Sequence, residues 1–242
     1  MAAMVKGVEI ECLPELVGYL KDQITKFGVN IRLGKKVDAR VVEKIKPDAV
    51  ILATGGVPVM PEIPGIDNRK VISGEKLHRK LRFYLGFLGP VALRRLTRFW
   101  LPIGKRVVVI GGAIQGCELA EFLVKRGRSV TIVDTGEVLG EGMIHHLRQQ
   151  LILWFEQKGV TMMTGVKYEE ITDEGLTLLT REGERKTIEA DTIIPALPLA
   201  PNTALMESLE GKVPEIYAIG DCNQPRLIVD AIRDGLRTGL TI

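Results

Sequence analysis

Cysteine is scarce in this chain of 242 residues. Its three cysteines, Cys12, Cys117 and Cys222, lie far apart, and no C-x-x-C pair occurs. An odd number without paired spacing argues against a disulfide framework and against a dithiol redox centre. The scarcity favours a reducing, cytoplasmic setting, and the first residues do not have the pattern of a signal peptide.

The chain also lacks a strong excess of charge of either sign and an uninterrupted apolar run long enough to span a membrane. The chain has 33 Lys and Arg residues against 30 Asp and Glu residues, which leaves a formal net charge of only +3. So small an excess predicts no nucleic-acid partner. The most apolar long segment, 81–104, is interrupted by Arg94, Arg95 and Arg98 and divided by Pro90, so we expect no transmembrane segment. His145 and His146 are adjacent, which makes them a poor metal pair on a helix, and we expect no metal site.

A glycine-rich turn between an apolar run and a helical segment carries the clearest functional signal. Residues 107–118 read VVVIGGAIQGCE, and the turn consists of Gly111, Gly112, Ala113, Ile114, Gln115 and Gly116. The G-x-G-x-x-G pattern of dinucleotide-binding loops occurs here with Ala113 in place of its second fixed glycine. Expected strands at 105–110 and 129–134, with a helix between them, complete the unit that such a loop requires. The pattern predicts a nucleotide site in which Ala113 moves the pyrophosphate outward and weakens its binding.

Asp134, at the end of the second of these strands, indicates which nucleotide the turn binds. Its carboxylate can accept hydrogen bonds from an adenosine ribose hydroxyl and would repel a 2′-phosphate. No arginine follows it directly, which favours NAD(H) over NADP(H), but Arg126 and Arg128 are close enough in sequence to keep NADP(H) open. The other interpretation is an ordinary strand–helix turn that binds no ligand.

Two further strand ends bear on a second nucleotide. They comprise Ala53, Thr54 and Gly55 in DAVILATGG (48–56), and Gly220 and Asp221 in YAIGDC (217–222). An aspartate in such a position can bind a polyol hydroxyl, and the start of the following helix can face phosphate. Each segment alone could be a simple junction between strand and turn. Their order around the glycine turn is what points to a second cofactor.

Taken together, these motifs resemble the C-terminal part of the flavin-dependent enoate and dienoyl-CoA reductases, members of the two-dinucleotide-binding-domain flavoproteins. The shared segments are ATGG-x-P (53–58), GG-x-x-x-GCE (111–118), the Pro-Asn pair (201–202) and YAIGDC (217–222). The resemblance covers nearly the whole chain and implies an α/β fold with parallel sheets, flanking helices and a β-meander. It assigns 103–197 to an NAD(P)H domain inserted into an FAD domain, of which 1–102 and 198–242 are two pieces.

The resemblance also implies roles for single residues. Gly220 and Asp221 would contact the ribityl-phosphate region of FAD, and Glu118 matches the acidic residue often found near the nicotinamide. Leu197 and Pro198 would face the nicotinamide nucleotide, where many relatives have glycine in place of Pro198. Hydride transfer between bound cofactors needs no acid or base from the protein, so we expect no catalytic side chain.

Three parts of the family pattern have no counterpart in the sequence. These are the first glycine loop of the FAD domain, an FMN-binding barrel and a cysteine-rich iron–sulfur segment, for which three scattered cysteines do not suffice. The resemblance therefore implies a fragment whose N-terminal partner carries the FMN and the cluster. The fragment would hold FAD only weakly and be inactive alone.

In the intact enzyme, this portion would bind NADH and pass its hydride to FAD, for reduction of an activated C=C bond of the enoate or enoyl-CoA type on the partner. The alternatives are an NADH oxidase or ferredoxin reductase of the same superfamily, or a non-catalytic nucleotide-binding or interaction module. The sequence does not indicate the oligomeric state.

Residue periodicity predicts the remaining elements. Helical spacing predicts helices over 14–27, over 144–158 and from about residue 226, and apolar runs predict strands at 29–34, 48–54 and 215–219. Residues 160–195 are expected to form short strands with hairpin turns at 173–175 and 182–184, and the last of these strands is expected over KTIEADTIIPA (186–196). Two basic amphipathic helices are expected within 77–101, either docked on a partner or forming a solvated hairpin.

Overall fold

The chain folds into two compact units. The structure, a computed structural model, describes residues 13–74, 76, 77, 79, 96, 97 and 99–242. The first unit contains an N-terminal helix and residues 60–197, and the second contains residues 29–59 and 198–242. Most of the expected basic helices within 77–101, and Cys12, lie outside the described residues. Among the residues described, no helix is both long and apolar enough to span a bilayer.

Six α-helices and eleven strands have defined bounds. The helices are Leu13–Lys26 (α1), Ala39–Ile45 (α2), Ile114–Val124 (α3), His145–Gln157 (α4), Ala204–Leu209 (α5) and Ile228–Thr241 (α6). The strands are Ala49–Leu52 (β1), Val57–Pro58 (β2), Arg106–Ile110 (β3), Ser129–Val133 (β4), Thr161–Met163 (β5), Lys167–Ile171 (β6), Gly175–Leu179 (β7), Arg185–Glu189 (β8), Thr192–Pro195 (β9), Leu199–Ala200 (β10) and Glu215–Ala218 (β11). The predicted α/β class, with parallel sheets and an antiparallel meander, is confirmed.

The first unit is built on a parallel sheet with the strand order β5-β4-β3-β9. Residues Val107 to Ile110 of β3 are all buried, as expected for a parallel strand that is covered on both faces. Because side chains alternate along a strand, Val107 and Val109 pack in one core cluster with α3 and α4. Val108 and Ile110 point to the opposite face and pack in a second cluster. The predicted strand–helix–strand unit is thus confirmed.

The antiparallel meander β6-β7-β8 contributes to that second cluster. Both hairpins occur where the sequence predicts them, and Leu176 and Leu178 of β7 are fully buried in the cluster. The apolar segment 186–196, expected as one strand, is divided instead. Its first part stays in the meander as β8, and its second part joins the parallel sheet as β9 beside β3. The break falls at Asp191, whose carboxylate accepts hydrogen bonds from the backbone amides of Lys105 and Arg106. These bonds hold the chain where it passes from the meander to the parallel sheet.

The second unit has little regular structure of its own. Strands β1 and β11 pair in parallel, β2 pairs with β10, and a small core of Val42, Leu52, Leu209 and Cys222 lies beside α2 and α5. Helix α2 was not predicted. It begins after Asp38, whose carboxylate accepts the Val41 amide at 3.0 Å as an N-cap.

The predicted strand at 29–34 is wrong. These residues form a loop in which Val29, Ile31 and Leu33 are exposed, the last at 90%. A strand needs a neighbour with which to exchange hydrogen bonds. Within the described part of this unit, the strands pair only with one another. The alternating apolar pattern is typical of a strand, but it does not show whether a neighbouring strand is available for pairing.

Phe155 provides a test of the first core cluster. It is fully buried on α4, whereas Leu153 on the same helix is 58% exposed. We expect Phe155→Ala to lower the free energy of unfolding by about 3–5 kcal/mol, because it leaves a cavity in a packed core. Leu153→Ala, the matched control, should change it by less than about 0.5 kcal/mol. Urea unfolding curves measure both values, and equal losses in the two variants would contradict the packing described here.

Asp191 provides a test by pH. Hydrogen bonds from the Arg106 side chain and from backbone amides lower the pKa of this carboxyl to about 2. Because the folded pKa lies below the unfolded one, the stabilisation is complete above about pH 4 and is lost as the pH falls through the folded value. The difference in unfolding free energy between the wild type and Asp191→Asn should therefore shrink between pH 4 and pH 2. A difference that stays constant over this range would contradict the assignment.

Candidate functional site

The glycine turn lies at the carboxyl end of β3, where α3 begins. Gly111 has a φ of +105°, a conformation that side chains disfavour, and a Cβ there would stand 2.8 Å from the Ala196 carbonyl oxygen. A Cβ on Gly116 would overlap the Gly111 carbonyl oxygen. Helix α3 therefore packs directly against the turn, and both positions require glycine for reasons within the fold.

Ala113 fits the turn without strain. It is the N-cap residue of α3, with φ −66° and ψ −175°, an extended conformation that any residue adopts. Its neighbour Gly112 donates its amide to Asp134 and accepts the Gly140 amide at 2.6 Å. The alanine is therefore compatible with the local fold, and any effect of its methyl group concerns a ligand.

Asp134 is held beside the turn by two backbone amides. Its Oδ2 accepts the Gly112 amide, and its Oδ1 accepts the Gly136 amide at 2.7 Å. A carboxylate has about four acceptor directions, so two remain for the hydroxyls of a ribose. Tyr168 lies nearby. Burial raises the pKa of its phenol well above the ordinary value, the Asp134 charge adds to this rise, and the hydroxyl donates to the Val133 carbonyl oxygen at 3.2 Å.

The two arginines nearest to Asp134 in sequence are engaged elsewhere. Arg126 is buried over the Phe122 ring, and it donates to the Thr97 hydroxyl at 2.9 Å and to the Phe122 carbonyl oxygen at 3.0 Å. Arg128 donates to the carbonyl oxygen of Arg126 at 3.1 Å. Both side chains therefore have structural contacts that do not involve the turn.

The other predicted residues of this site differ in their exposure to solvent. The first amide of α3, that of Ile114, donates to the Glu141 carbonyl oxygen at 3.0 Å, while Gln115 is exposed. Glu118 lies one turn further along α3 and is half-buried. The Leu197 side chain lies beside Gly111, and Pro198 is exposed at the start of the second unit's C-terminal segment.

The second candidate site lies at the carboxyl ends of β1 and β11. An open pocket of about 360 Å³ brings together Ala53, Gly55, Gly220 and Asp221. Thr54 is exposed and does not line it. The carboxyl ends of parallel strands are where ligands bind in open α/β sheets. The pocket thus unites four of the five residues that the sequence proposed for the second nucleotide.

Two charged residues at or next to this pocket were not predicted as site residues. Arg226 lines it, and Asp234 on α6 accepts the Gly220 amide at 3.2 Å and pairs with the Arg226 guanidinium at 2.9 Å. The hydrogen bond from the Gly220 amide lowers the pKa of Asp234, and the hydrogen bond and charge of the Arg226 side chain lower it further. The two residues are eight positions apart in the sequence, and no local motif connects them, so only the folded chain brings their side chains together.

Neither site offers a metal centre. Among the residues described, no group of three His, Cys, Asp or Glu side chains could hold a metal ion. Cys117 and Cys222 are buried free thiols, and the Cys222 sulfur donates to the Leu52 carbonyl oxygen at 3.0 Å.

Comparison with known proteins identifies longer relatives. Over 225 residues, 93% of the chain, it is 29% identical to the NADH oxidase of Thermoanaerobacter brockii, of which it covers 32%. Over 218 residues, 89% of the chain, it is 30% identical to the cinnamate reductase of Clostridium sporogenes, of which it covers 29%. A solved structure of 2-naphthoyl-CoA reductase with 2-naphthoyl-CoA has a TM-score of 0.80 at 30% identity, covering 95% of this chain and 32% of that one. The chain thus spans about a third of the length of these relatives.

The match to a protein family extends over both units. The sequence profile of the pyridine nucleotide-disulphide oxidoreductase family covers residues 13–235, which include the glycine turn, Asp134 and the pocket beside Gly220. The similarity to 2-naphthoyl-CoA reductase shows the same α/β fold of FAD- and NAD(P)-binding proteins. On this evidence, the chain belongs to the pyridine nucleotide-disulphide oxidoreductase family.

Proposed function

We propose that the chain is the nucleotide-binding portion of a larger NADH-dependent flavin oxidoreductase. The observation that carries this proposal is Asp134, which is fixed by two backbone amides beside a glycine turn at the carboxyl end of a parallel sheet. A helix that starts at such a turn presents amides and a positive dipole end to a pyrophosphate. The carboxylate next to it keeps acceptor capacity for the ribose hydroxyls.

The two units divide the cofactors in this proposal. The first unit, with 103–197 as its centre, binds NADH. The second unit, with 198–242 and residues 29–59, binds FAD in the pocket beside Gly220. The sequence interpretation placed all of 1–102 in the FAD domain. Ile63, Val71 and Leu101 pack in the core clusters of the first unit, so we now assign residues 60–102 to the NADH side.

The residues of the chain bind and orient, and they transfer no proton. NADH and FAD supply the hydride chemistry when bound. Asp134 and the turn hold the adenosine end of NADH. Glu118, Leu197 and Pro198 are the candidates beside the nicotinamide. Ala53, Thr54, Gly55, Gly220 and Asp221 are the candidates for contact with FAD.

Exposed apolar surface in the second unit supports a missing N-terminal partner. Helix α6 has no buried residue, and Ile228, Ile232, Leu236 and Leu240 are between 51% and 80% exposed along it. Parallel sheets are normally covered on both faces and contain more than two strands. We propose that the N-terminal portion of the intact enzyme covers this surface and carries the FMN and iron–sulfur groups.

The acceptor in this proposal is an activated C=C bond. Two relatives are a cinnamate reductase and a 2-naphthoyl-CoA reductase. Their names give substrates whose unsaturated carbons are conjugated to a carboxylate or thioester. The second candidate function is that of an NADH oxidase, because the relative of that name matches 93% of the chain.

Asp134 tests the choice of nucleotide. The wild-type chain should bind NADH more tightly than NADPH, because the carboxylate repels a 2′-phosphate. Asp134→Asn should weaken NADH binding by about tenfold, since a charged hydrogen-bond acceptor is lost. The double variant Asp134→Asn/Thr135→Arg should prefer NADPH. Calorimetric titration of the three proteins with both nucleotides measures the six affinities and their ratios.

The matched control for these titrations is Glu137→Gln, which removes an exposed carboxylate of the same loop. It should leave the ratio of NADH to NADPH affinity unchanged, and thermal unfolding should show that every variant is folded. Equal affinity of the wild type for both nucleotides would refute the preference. If neither nucleotide releases heat at millimolar concentration, the nucleotide site itself is refuted.

Ala113 tests how closely the pyrophosphate approaches the turn. Its extended backbone accepts glycine without change, so Ala113→Gly alters little except the methyl group. We expect NADH affinity to rise by about threefold to tenfold as the phosphate moves closer to the amides of α3. The same titration measures it. An unchanged dissociation constant would show that the methyl group does not limit the approach.

A further inference from the structure

A charged clamp holds the turn at the second pocket. The Arg226 guanidinium binds Asp234 through one nitrogen, Nη2, at 3.1 Å from Oδ1 and 2.9 Å from Oδ2. Asp234 Oδ2 also accepts the Gly220 amide at 3.2 Å, and the backbone amide of Arg226 donates to Asp221 Oδ1 at 3.3 Å. The pair therefore connects helix α6, the segment before it and the Gly220–Asp221 turn.

The clamp leaves hydrogen-bond donors on Arg226 unused. Arg226 lines the pocket, and its side chain is 36% exposed, against 18% for Asp234. Within the described part of the chain, its Nε and Nη1 have no protein partner. A guanidinium carries five N–H donors in a fixed plane. The donors that do not bind Asp234 therefore keep a defined direction at the edge of the pocket.

The arrangement selects a ligand of mixed chemistry. Asp221 presents a carboxylate, which accepts hydrogen bonds from hydroxyl groups. Arg226, whose backbone amide lies 3.3 Å from Asp221 Oδ1, presents side-chain donors suited to phosphate oxygens. Asp230, the next acidic residue, is paired with Arg233 at 2.9 Å. A ligand with hydroxyl groups next to a phosphate, as in the ribityl phosphate of a flavin nucleotide, satisfies both sides.

We propose that Arg226 is a binding residue for the ribityl phosphate of FAD and that Asp234 is the positioning residue that fixes both Arg226 and the Gly220–Asp221 turn. This inference rests on the proposed function, because it requires that FAD occupies this pocket. It adds two residues that the sequence motifs did not indicate. It also explains why Asp234, an acidic residue of α6, can lie near a bound anion. Its carboxylate is already paired with Arg226 and accepts the Gly220 amide.

The test is calorimetric titration of the whole 242-residue chain with FAD and, separately, with NADH. We expect the wild type to bind FAD weakly and Arg226→Gln to weaken that binding by about tenfold or more, because donors to a charged group are lost. Arg226→Lys should not restore the affinity, since an ammonium cannot reproduce the planar fork. Arg233→Gln, which removes an arginine charge and its ion pair with Asp230 on α6, should change it by less than twofold. NADH affinity should be the same in all variants.

Asp234→Asn tests the positioning role separately. It should weaken FAD binding and, at saturating FAD, change the visible circular dichroism of the bound flavin, because the turn no longer holds the ligand in one orientation. Thermal unfolding shows whether the variant is folded. Asp234→Glu keeps the charge and should recover part of the affinity. A purely structural residue would lower the unfolding temperature without altering the flavin spectrum, and that result would overturn the role.

The outcomes separate this inference from the proposed function. If the wild type binds FAD, and Arg226→Gln binds it as well as Arg233→Gln does, the clamp is refuted while the proposed function stands. If the wild type binds NADH but no FAD at millimolar concentration, both the FAD pocket and the clamp are refuted, and only the NADH site remains.

Discussion

The close approach of helix α3 to the end of strand β3 is the constraint on which the first unit depends. No side chain fits between Gly116 and the Gly111 carbonyl oxygen, so the helix begins directly at the carboxyl end of the sheet. This places its first amides and its positive dipole end at the turn. The same proximity lets Asp134, at the end of the adjacent strand, accept the Gly112 amide. A requirement of the fold thus coincides, at one turn, with the requirement of the proposed nucleotide site.

The second unit obtains its candidate site by other means. Its small core includes Cys222, which directly follows the Gly220–Asp221 turn, and its two-stranded parallel sheet leads into that turn, while α6 buries none of its apolar residues. Hydrogen bonds and charges, through Asp234 and Arg226, hold the turn as well. The exposed apolar residues of α6 beside this turn are the surface that the proposed function assigns to contact with an N-terminal portion.

Sequence reasoning succeeded where local pattern and fold agree. The strand–turn–helix around 107–118, the hairpins of the meander and the helices α1, α4 and α6 all occur within about two residues of their predicted ends, since each is defined by its own periodicity and turn residues. It failed at 29–34, where strand formation depends on a partner that the pattern does not specify. It also joined β8 to β9, because the break at Asp191 depends on contacts with Lys105 and Arg106, more than 80 residues away.

The sequence by itself determined the local features of the candidate sites: a glycine turn with Asp134 at the expected distance, and two flanking strand ends rich in glycine. These are local features, because backbone conformation and residue spacing are written into consecutive residues. Only the tertiary structure decided that Arg126 and Arg128 are occupied elsewhere, that Thr54 lies outside the pocket and that Arg226 and Asp234 hold its turn. Those outcomes depend on which side chains meet in space, and no spacing along the chain specifies such meetings.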